Sequence, residues 1–365
     1  MIKRKYNFKY CCDDICVFPS STWLSGTWEK FRPSFGLTAI STYQLKVSAG
    51  ETHQGEQKKK GKVYLYRLEE DTADDGERSE MTPLLKYHSD INFRSGVLQS
   101  SYLFSQDSLL LGSVCVNGFH LAHVKDGSHH LLFATPDERN NSGMNKIIHI
   151  LQMHTFLGLS FDAFDGSPEK VFVTFSNGDV SLLLDGKGTQ LWKAHEYHVW
   201  TCTFNGSENV VTTGSDDCSF AIWDLRTTTR PSARNIKSHS QGVTVVKFDR
   251  FRQHLYTASY DNKIRIFDTR NVQDPLQAVD VKSSIWRLKF LYKGTDVNEL
   301  LVAACDGGAQ LFKKINDEFI FDKGIPNGNE LTYGIDAIDF ADVGKEKKKI
   351  YLSCSFYNKE VQIWV

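Results

Sequence analysis

Two stretches, VVTTGSDDCSFAIWD (210–224) and HLYTASYDNKIRIFD (254–268), decide the fold of this 365-residue chain. Each reads as an alternating apolar run, a polar turn built on Asp, a second alternating run, and an aromatic followed by Asp. Period-two alternation broken by turn residues is the pattern of antiparallel strands. Superposing the two puts Asp217 on Asp261 and Trp223 on Phe267, 44 residues apart. A weaker copy, LLVAACDGGAQLF (300–312), places Asp306 another 45 residues on, and IYLSCSFYNKEVQIW (350–364) places Asn358 a further 52 on. A strand-rich repeat of about 40–50 residues ending in Trp-Asp predicts a WD-repeat β-propeller.

Degenerate copies precede these: VFVTFSNGDVSLLL (171–184), LLLGSVCVNGFHLAHV (109–124), and LTAISTYQL (37–45) with VYLYRLEE (63–70). Counted together they predict an all-β, seven-bladed propeller occupying 1–365 as one domain, with exposed, charge-rich insertions at about 48–62, 68–82 and 344–349. Segments such as VTVVKFDR (243–250) and LQAVDV (276–281) supply the remaining strands. The last copy ends in the third strand of its blade, so a strand from Ile2–Tyr10 is expected to complete it and close the ring. Closure removes edges that would otherwise pair with other chains.

Composition narrows the functional classes. A net charge of −1 and a pI near 6.9 give no basic footprint for nucleic acid or an anionic membrane surface. The opening MIKRKYNFKYCCDD is charged without an apolar core, and no apolar run is long enough to cross a bilayer. The eight cysteines form no CxxC pair and mostly sit in strand-like runs, the usage of reduced thiols in a cytoplasmic protein. His195 and His198 lack a companion ligand at useful spacing, so no metal or other cofactor is expected. A monomer is the default for a closed ring.

His195, Thr213, Asp217 and Trp223 stand at offsets that allow one hydrogen-bonded network bracing a blade, and His239, Thr257 and Asp261 repeat it. Asp216 and Trp200 are not needed for that brace. The innermost strands would start around one mouth of the central channel, bringing Asp13, Asp14, Trp200, Trp286, Arg287 and Asp336 together. Neighbouring turns add Asp216, Tyr260, Phe356 and Tyr357. Ser353 and Cys354 fall near the same rim and are possible nucleophiles. No GxSxG elbow, phosphate-binding glycine loop or HExxH is present.

The chain resembles the diphthine methylesterase family of WD-repeat proteins. HEYHVW (195–200), GSDDCSFAIWDLR (214–226), ASYDNKIRIFDTRN (258–271), IWRLKF (285–290) and CSFYNKEVQIW (354–364) carry the likeness, with TYQL (42–45) near the start. It departs from the family at Asn358, where an Asp is usual, and at Cys16, which replaces an acidic residue. The resemblance implies hydrolysis of the methyl ester of diphthine on translation elongation factor 2, releasing methanol before the final amidation to diphthamide. A substrate bearing a quaternary ammonium suits an aromatic rim, and Trp200, Asp216, Tyr260, Trp286 and Tyr357 are the expected binding residues. Asp13, Asp336 or His195 would act as base and Arg287 as the stabiliser of developing negative charge.

A different class is open to the same chain. Trp223-Asp224-Leu225-Arg226 and Phe267-Asp268-Thr269-Arg270 look like the pattern of propellers that dock on ubiquitin-ligase subunits, which would make it a non-catalytic adaptor. The plainer expectation is that Arg226 and Arg270 pair with an Asp of a neighbouring blade.

Overall fold

The computed structural model describes residues 2–9, 11–18, 37–45, 59–70, 83–93, 96–105, 108–115, 118–125, 128–131, 156–227, 230–325, 330–340 and 348–365. Its strands form seven four-stranded antiparallel sheets, the blades of a propeller. Strand β1 (Ile2–Asn7) belongs to the last blade. Blade 1 holds β2 (Cys11–Phe18), β3 (Leu37–Leu45), β4 (Lys59–Glu70) and β5 (Pro83–Phe93). Blade 2 holds β6 (Val97–Ser105), β7 (Ser108–Cys115), β8 (Gly118–Lys125) and β9 (Ser128–Leu131). Blade 3 holds β10 (Gly158–Ala163), β11 (Lys170–Phe175), β12 (Asp179–Leu184) and β13 (Lys187–Lys193). Blade 4 holds β14 (Val199–Phe204), β15 (Val210–Ser215), β16 (Phe220–Asp224) and β17 (Ala233–Asn235). Blade 5 holds β18 (Val243–Asp249), β19 (His254–Ser259), β20 (Lys263–Asp268) and β21 (Gln277–Asp280). Blade 6 holds β22 (Arg287–Lys293), β23 (Asp296–Ala303), β24 (Ala309–Ile315) and β25 (Glu318–Ile325). Blade 7 holds β26 (Thr332–Phe340), β27 (Lys348–Ser355), β28 (Glu360–Trp364) and, on its outer edge, β1.

The expected ring closure is present: β1 pairs antiparallel with β28, with Lys5 opposite Gln362 and Tyr6 opposite Val361. Tyr6 and Phe8 then pack inward with Tyr64 and Tyr66 of blade 1. The apolar core is divided accordingly. Seven hydrophobic clusters lie one at each junction between neighbouring blades. Stability therefore rests on blade-to-blade burial, and no blade buries its faces without its neighbours.

The turns between second and third strands of blades 3, 4 and 5 share one device. Asp217 and Asp261 accept the backbone N–H two residues on, at 3.0 and 3.1 Å, and Asn177 does the same at 3.2 Å. The following residue takes positive φ in each: Cys218, Asn262 and Gly178. An Asx side chain that completes its own turn explains why Asp or Asn recurs there.

The insertion boundaries need correction. Residues 59–62 and 68–70 belong to β4, and β27 begins at Lys348. The Lys and Glu of these segments read in the sequence as loop residues, and this hid the strand alternation. Residues 48–58, 71–82 and 344–347 lie outside the described residues.

Candidate active site at the channel mouth

The innermost strands are β2, β6, β10, β14, β18, β22 and β26. Their channel-side edges have no further strand to pair with, so their backbone groups need other partners. Side chains of the preceding blade supply acceptors. Asp14 accepts Ser100 N–H at 3.1 Å, Gln99 accepts Phe161 N–H at 3.2 Å, and Thr201 accepts Val246 N–H at 3.3 Å. One layer further down, Asp162 accepts Phe204 N–H at 2.8 Å and Asp336 accepts Val17 N–H at 2.9 Å.

A β-bulge interrupts the start of six of these strands, at Asp13, Leu98, Leu159, Trp200, Thr244 and Tyr333. In blade 6 the corresponding place falls to Trp286, whose N–H bonds Ala303 O at 2.8 Å while Arg287 is the residue registered with Ala303. Bulges add twist and re-aim the extra side chain. They place the candidate side chains Asp13, Trp200 and Tyr333 at corresponding starts of their inner strands, and Trp286 takes the same place in blade 6. Gly334 follows Tyr333 because a Cβ there would meet Cys354 Sγ at 2.6 Å and the backbone N of Ile15 at 2.8 Å.

The acidic part of the mouth is Asp13 with Asp14. Asp13 is only 3% exposed, and its Oδ2 is buried without a hydrogen-bond partner. Burial pushes its carboxyl up to about 8, with Arg287 working against that and Asp14 adding to it. An unpartnered buried carboxyl is costly and calls for an explanation. Arg287 donates from Nη2 to Leu98 O at 3.3 Å and lies 3.8 Å from Asp14 Oδ1 through Nε, which has no hydrogen-bond partner. Its guanidinium carbon is 5.6 Å from the Trp286 ring centre. The Trp286 indole N–H is also buried without an acceptor. Asp13 Oδ2, Arg287 Nε–H and the Trp286 indole N–H are thus three buried polar groups without hydrogen-bond partners, and Arg287 acts electrostatically on the Asp13 carboxyl.

The rest of the mouth is an aromatic wall. Trp200 meets Trp286 edge to face at 5.4 Å, while Tyr260 and Tyr333 stack on Trp286 at 6.1 and 4.9 Å. Phe356 continues the row at 5.1 Å from Tyr333, and Tyr357, 62% exposed, marks its outer end. His198 stacks on Trp200 at 5.0 Å. Tyr333 and His198 were not among the expected residues. Aligning the chain on its inner strands, rather than on the Asp turns, would have put Tyr333 on Trp200 and Asp13.

Two expected catalytic residues stand elsewhere. His195 is buried within blade 4, its Nδ1 bonded to Asp217 at 2.9 Å and its Nε2 to Thr213 at 2.8 Å, while Trp223 donates to Thr213 at 2.9 Å. Both ring nitrogens are committed, so the expectation of a base at His195 gives way to the bracing reading. Asp336 is fully buried three residues on from the bulge at Tyr333, held by Val17 N–H, Ala337 N–H and Lys289 at 3.3 Å. It braces the channel rather than facing the mouth. Burial raises the Cys354 thiol well above its ordinary value, which leaves it a poor nucleophile.

Below the bulges a cavity of about 380 Å³ fills the channel, running from Asp14, Gln99, Thr201 and Arg287 towards Arg250 and Asp165. Among the described residues no three His, Cys, Asp or Glu side chains gather as metal ligands. Arg226 and Arg270 pair with Asp224 and Asp268 two residues back on their own strands, and not with a neighbouring blade as expected.

A family profile described as WD domain, G-beta repeat matches residues 186–224 and 231–268. A diphthine methyltransferase homolog of Dictyostelium discoideum is 26% identical over the whole chain and 99% of its own length. The resemblance is to diphthine methyltransferases. The Mus musculus diphthine methyltransferase is 30% identical over 74% of this chain and 56% of its own, and that of Schizosaccharomyces pombe is 29% identical over 57% and 64%. Against the two last diphthine methyltransferases the chain thus spans less than two thirds of the relative. Among solved structures, the WD40 propeller domain of Doa1 superposes with a TM-score of 0.63 at 15% identity, covering 100% of this chain and 96% of that one, a likeness of fold.

Proposed function

We propose that the channel mouth hydrolyses the methyl ester of diphthine carried by translation elongation factor 2, giving methanol and a free carboxylate ahead of the final amidation to diphthamide. The observation that carries this reading is the buried Asp13 carboxyl, with one oxygen lacking a hydrogen-bond partner and Arg287 in electrostatic reach, against a wall of aromatic rings. Ester hydrolysis needs acid–base groups for water and leaving group and a positive donor for the oxyanion. Asp13 and Arg287 are of those types. The aromatic faces of Trp200, Trp286 and Tyr260 suit a quaternary ammonium, each good contact contributing roughly 0.5–2 kcal/mol. Asp216, on the indole N–H of Trp200, adds a negative charge to the same wall.

The relatives' name speaks of methyl transfer, and the likeness to them supports work on diphthine. Water is taken here as the second reactant because the mouth offers acid–base groups. A modified protein side chain reaches the rim from outside, in keeping with the protein-binding use of WD propellers, and the protein works as a cytoplasmic monomer without a cofactor.

The test is to incubate the purified protein with elongation factor bearing methylated diphthine in 18O-water. Loss of one CH2 unit of mass with the label in the new carboxylate supports hydrolysis. No mass loss, with ligase subunits co-purifying, favours the adaptor reading. That reading rests on the two exposed Asp-x-Arg clasps, repeated in consecutive blades.

A further inference from the structure

Asp13 and Asp14 are adjacent in sequence, yet the bulge between Cys12 and Asp14 gives them different surroundings. Asp14 Oδ2 accepts Ser100 N–H at 3.1 Å, Arg287 Nε lies 3.8 Å from its Oδ1, and the residue lines the channel cavity. Asp13 Oδ2 is buried without a hydrogen-bond partner. We infer that the two carboxyls divide the work of ester hydrolysis: Asp14, on the channel cavity, takes the proton of water, and Asp13 hydrogen-bonds the ester carbonyl. This rests on the hydrolytic reading above and adds Asp14 as a catalytic residue.

Asp14 removes a proton from water as its oxygen adds to the ester carbonyl carbon. The carbonyl oxygen, becoming an oxyanion, accepts a hydrogen bond from protonated Asp13 with Arg287 alongside. As the tetrahedral intermediate collapses, the bond to methoxide breaks and the proton on Asp14 leaves with it as methanol. The oxyanion becomes the carbonyl again, Asp13 keeps its proton throughout, and the product acid ionises to solvent.

The charged and titratable groups around the pair agree with this split. Cys11, Cys12 and Cys16 on β2, Arg287 and Lys289 on β22, Asp336 on β26 and Cys354 on β27 surround it. At Asp14 burial raises the carboxyl and Asp336 adds to that, but Arg287, Lys289 and the Ser100 N–H all work against it, whereas at Asp13 Arg287 alone opposes burial and Asp14 adds to it. Two carboxyls with environments of unequal strength are the pattern by which one site holds both an acid and a base.

A purely architectural Asp14, needed only to accept Ser100 N–H, predicts something different from a base. Asn at 14 keeps an acceptor for Ser100 but takes no proton, while Asn at 13 keeps an N–H donor. The experiment measures methanol release from methylated-diphthine elongation factor by Asp13→Asn, Asp13→Ala and Asp14→Asn, with melting curves for each. Asp14→Asn is expected to lose about 10²–10⁴-fold in kcat. Asp13→Asn is expected to lose about tenfold, and Asp13→Ala about 10²-fold or more. The wild type should lose kcat above pH 8 or so as Asp13 ionises, and Asp13→Asn should lack that alkaline limb. An active Asp14→Asn, an Asp13→Asn as damaged as Asp13→Ala, or a wild-type profile flat through pH 9 overturns the division. Because the profile is measured on the wild-type protein, misfolding of a variant does not blunt the test. A wild type that releases no methanol overturns the hydrolytic reading itself, a separate result.

Discussion

Trp200 donates its indole N–H to Asp216 at 3.2 Å, and the turn opposite leaves room for that carboxylate only because residue 242 is glycine: a Cβ there would meet Asp216 Oδ1 at 2.4 Å. Three residues far apart in sequence thus fix one wall of the mouth. Gly242→Ala should push Asp216 aside and reproduce Asp216→Ala. Both are expected to raise KM for the ester substrate about 2–10-fold and leave kcat within a factor of about two. Steady-state kinetics on the two variants checks this, and unequal effects would separate the glycine from the carboxylate.

Trp286 touches more of the site than any other ring, meeting Trp200, Tyr260, Tyr333 and Arg287. Trp286→Phe keeps the packing and removes the indole N–H; Trp286→Ala removes the wall. The alanine variant should weaken substrate binding about 30-fold or more, the phenylalanine variant several-fold less, measured by titration with a quaternary ammonium probe.

Asp13 places a stability cost on the fold. Its carboxyl, pushed up to about 8 by burial, favours folding while neutral. That stability is fully present below its unfolded value near 4 and is lost as pH rises through about 8. Asp13→Asn should therefore melt higher than the wild type at pH 8.5 and much the same at pH 4, read by thermal scans at both pH values. A lower Tm at pH 8.5 would contradict the burial argument.

The blade braces respond to pH in the other direction. Burial works against ionised Asp217, but hydrogen bonds from His195 and Ser219 hold its carboxyl down at about 2. Its contribution is present above its unfolded value near 4 and lost as pH falls towards 2. Burial also lowers His195, so its protonation below about 6.5 likewise opposes the fold. Asp217→Ala should cost about 1–3 kcal/mol at neutral pH, and its Tm deficit should shrink in acid.

How much of this was legible in the sequence follows from what repeats. Blade number, closing strand and bracing network rest on residues that recur at fixed offsets, such as Asp217 with Asp261 and Thr213 with Thr257, and all were readable. The mouth is where blades differ, so no repeat pointed to its depth. Asp336 and Asp13 look alike in sequence, each an Asp in the first strand of a blade. Three residues of register separate Asp336 from its bulge at Tyr333, and they turn a rim acid into a buried brace. Tyr333 was missed because bulges leave no compositional mark. The insertion bounds erred at Lys59–Lys62, where strand charge resembles loop charge.

Strand β2, which carries Asp13 and Asp14, is read early from the chain, whereas Tyr333, Phe356 and Cys354 come from its last blade. The two halves of the mouth are joined only once β28 has met β1. Synthesis therefore makes the aromatic wall and the carboxyl pair as separate pieces. If the proposed hydrolysis runs at the mouth, turnover would report the molecule's own assembly: a chain that fails to shut would carry every candidate side chain and no site.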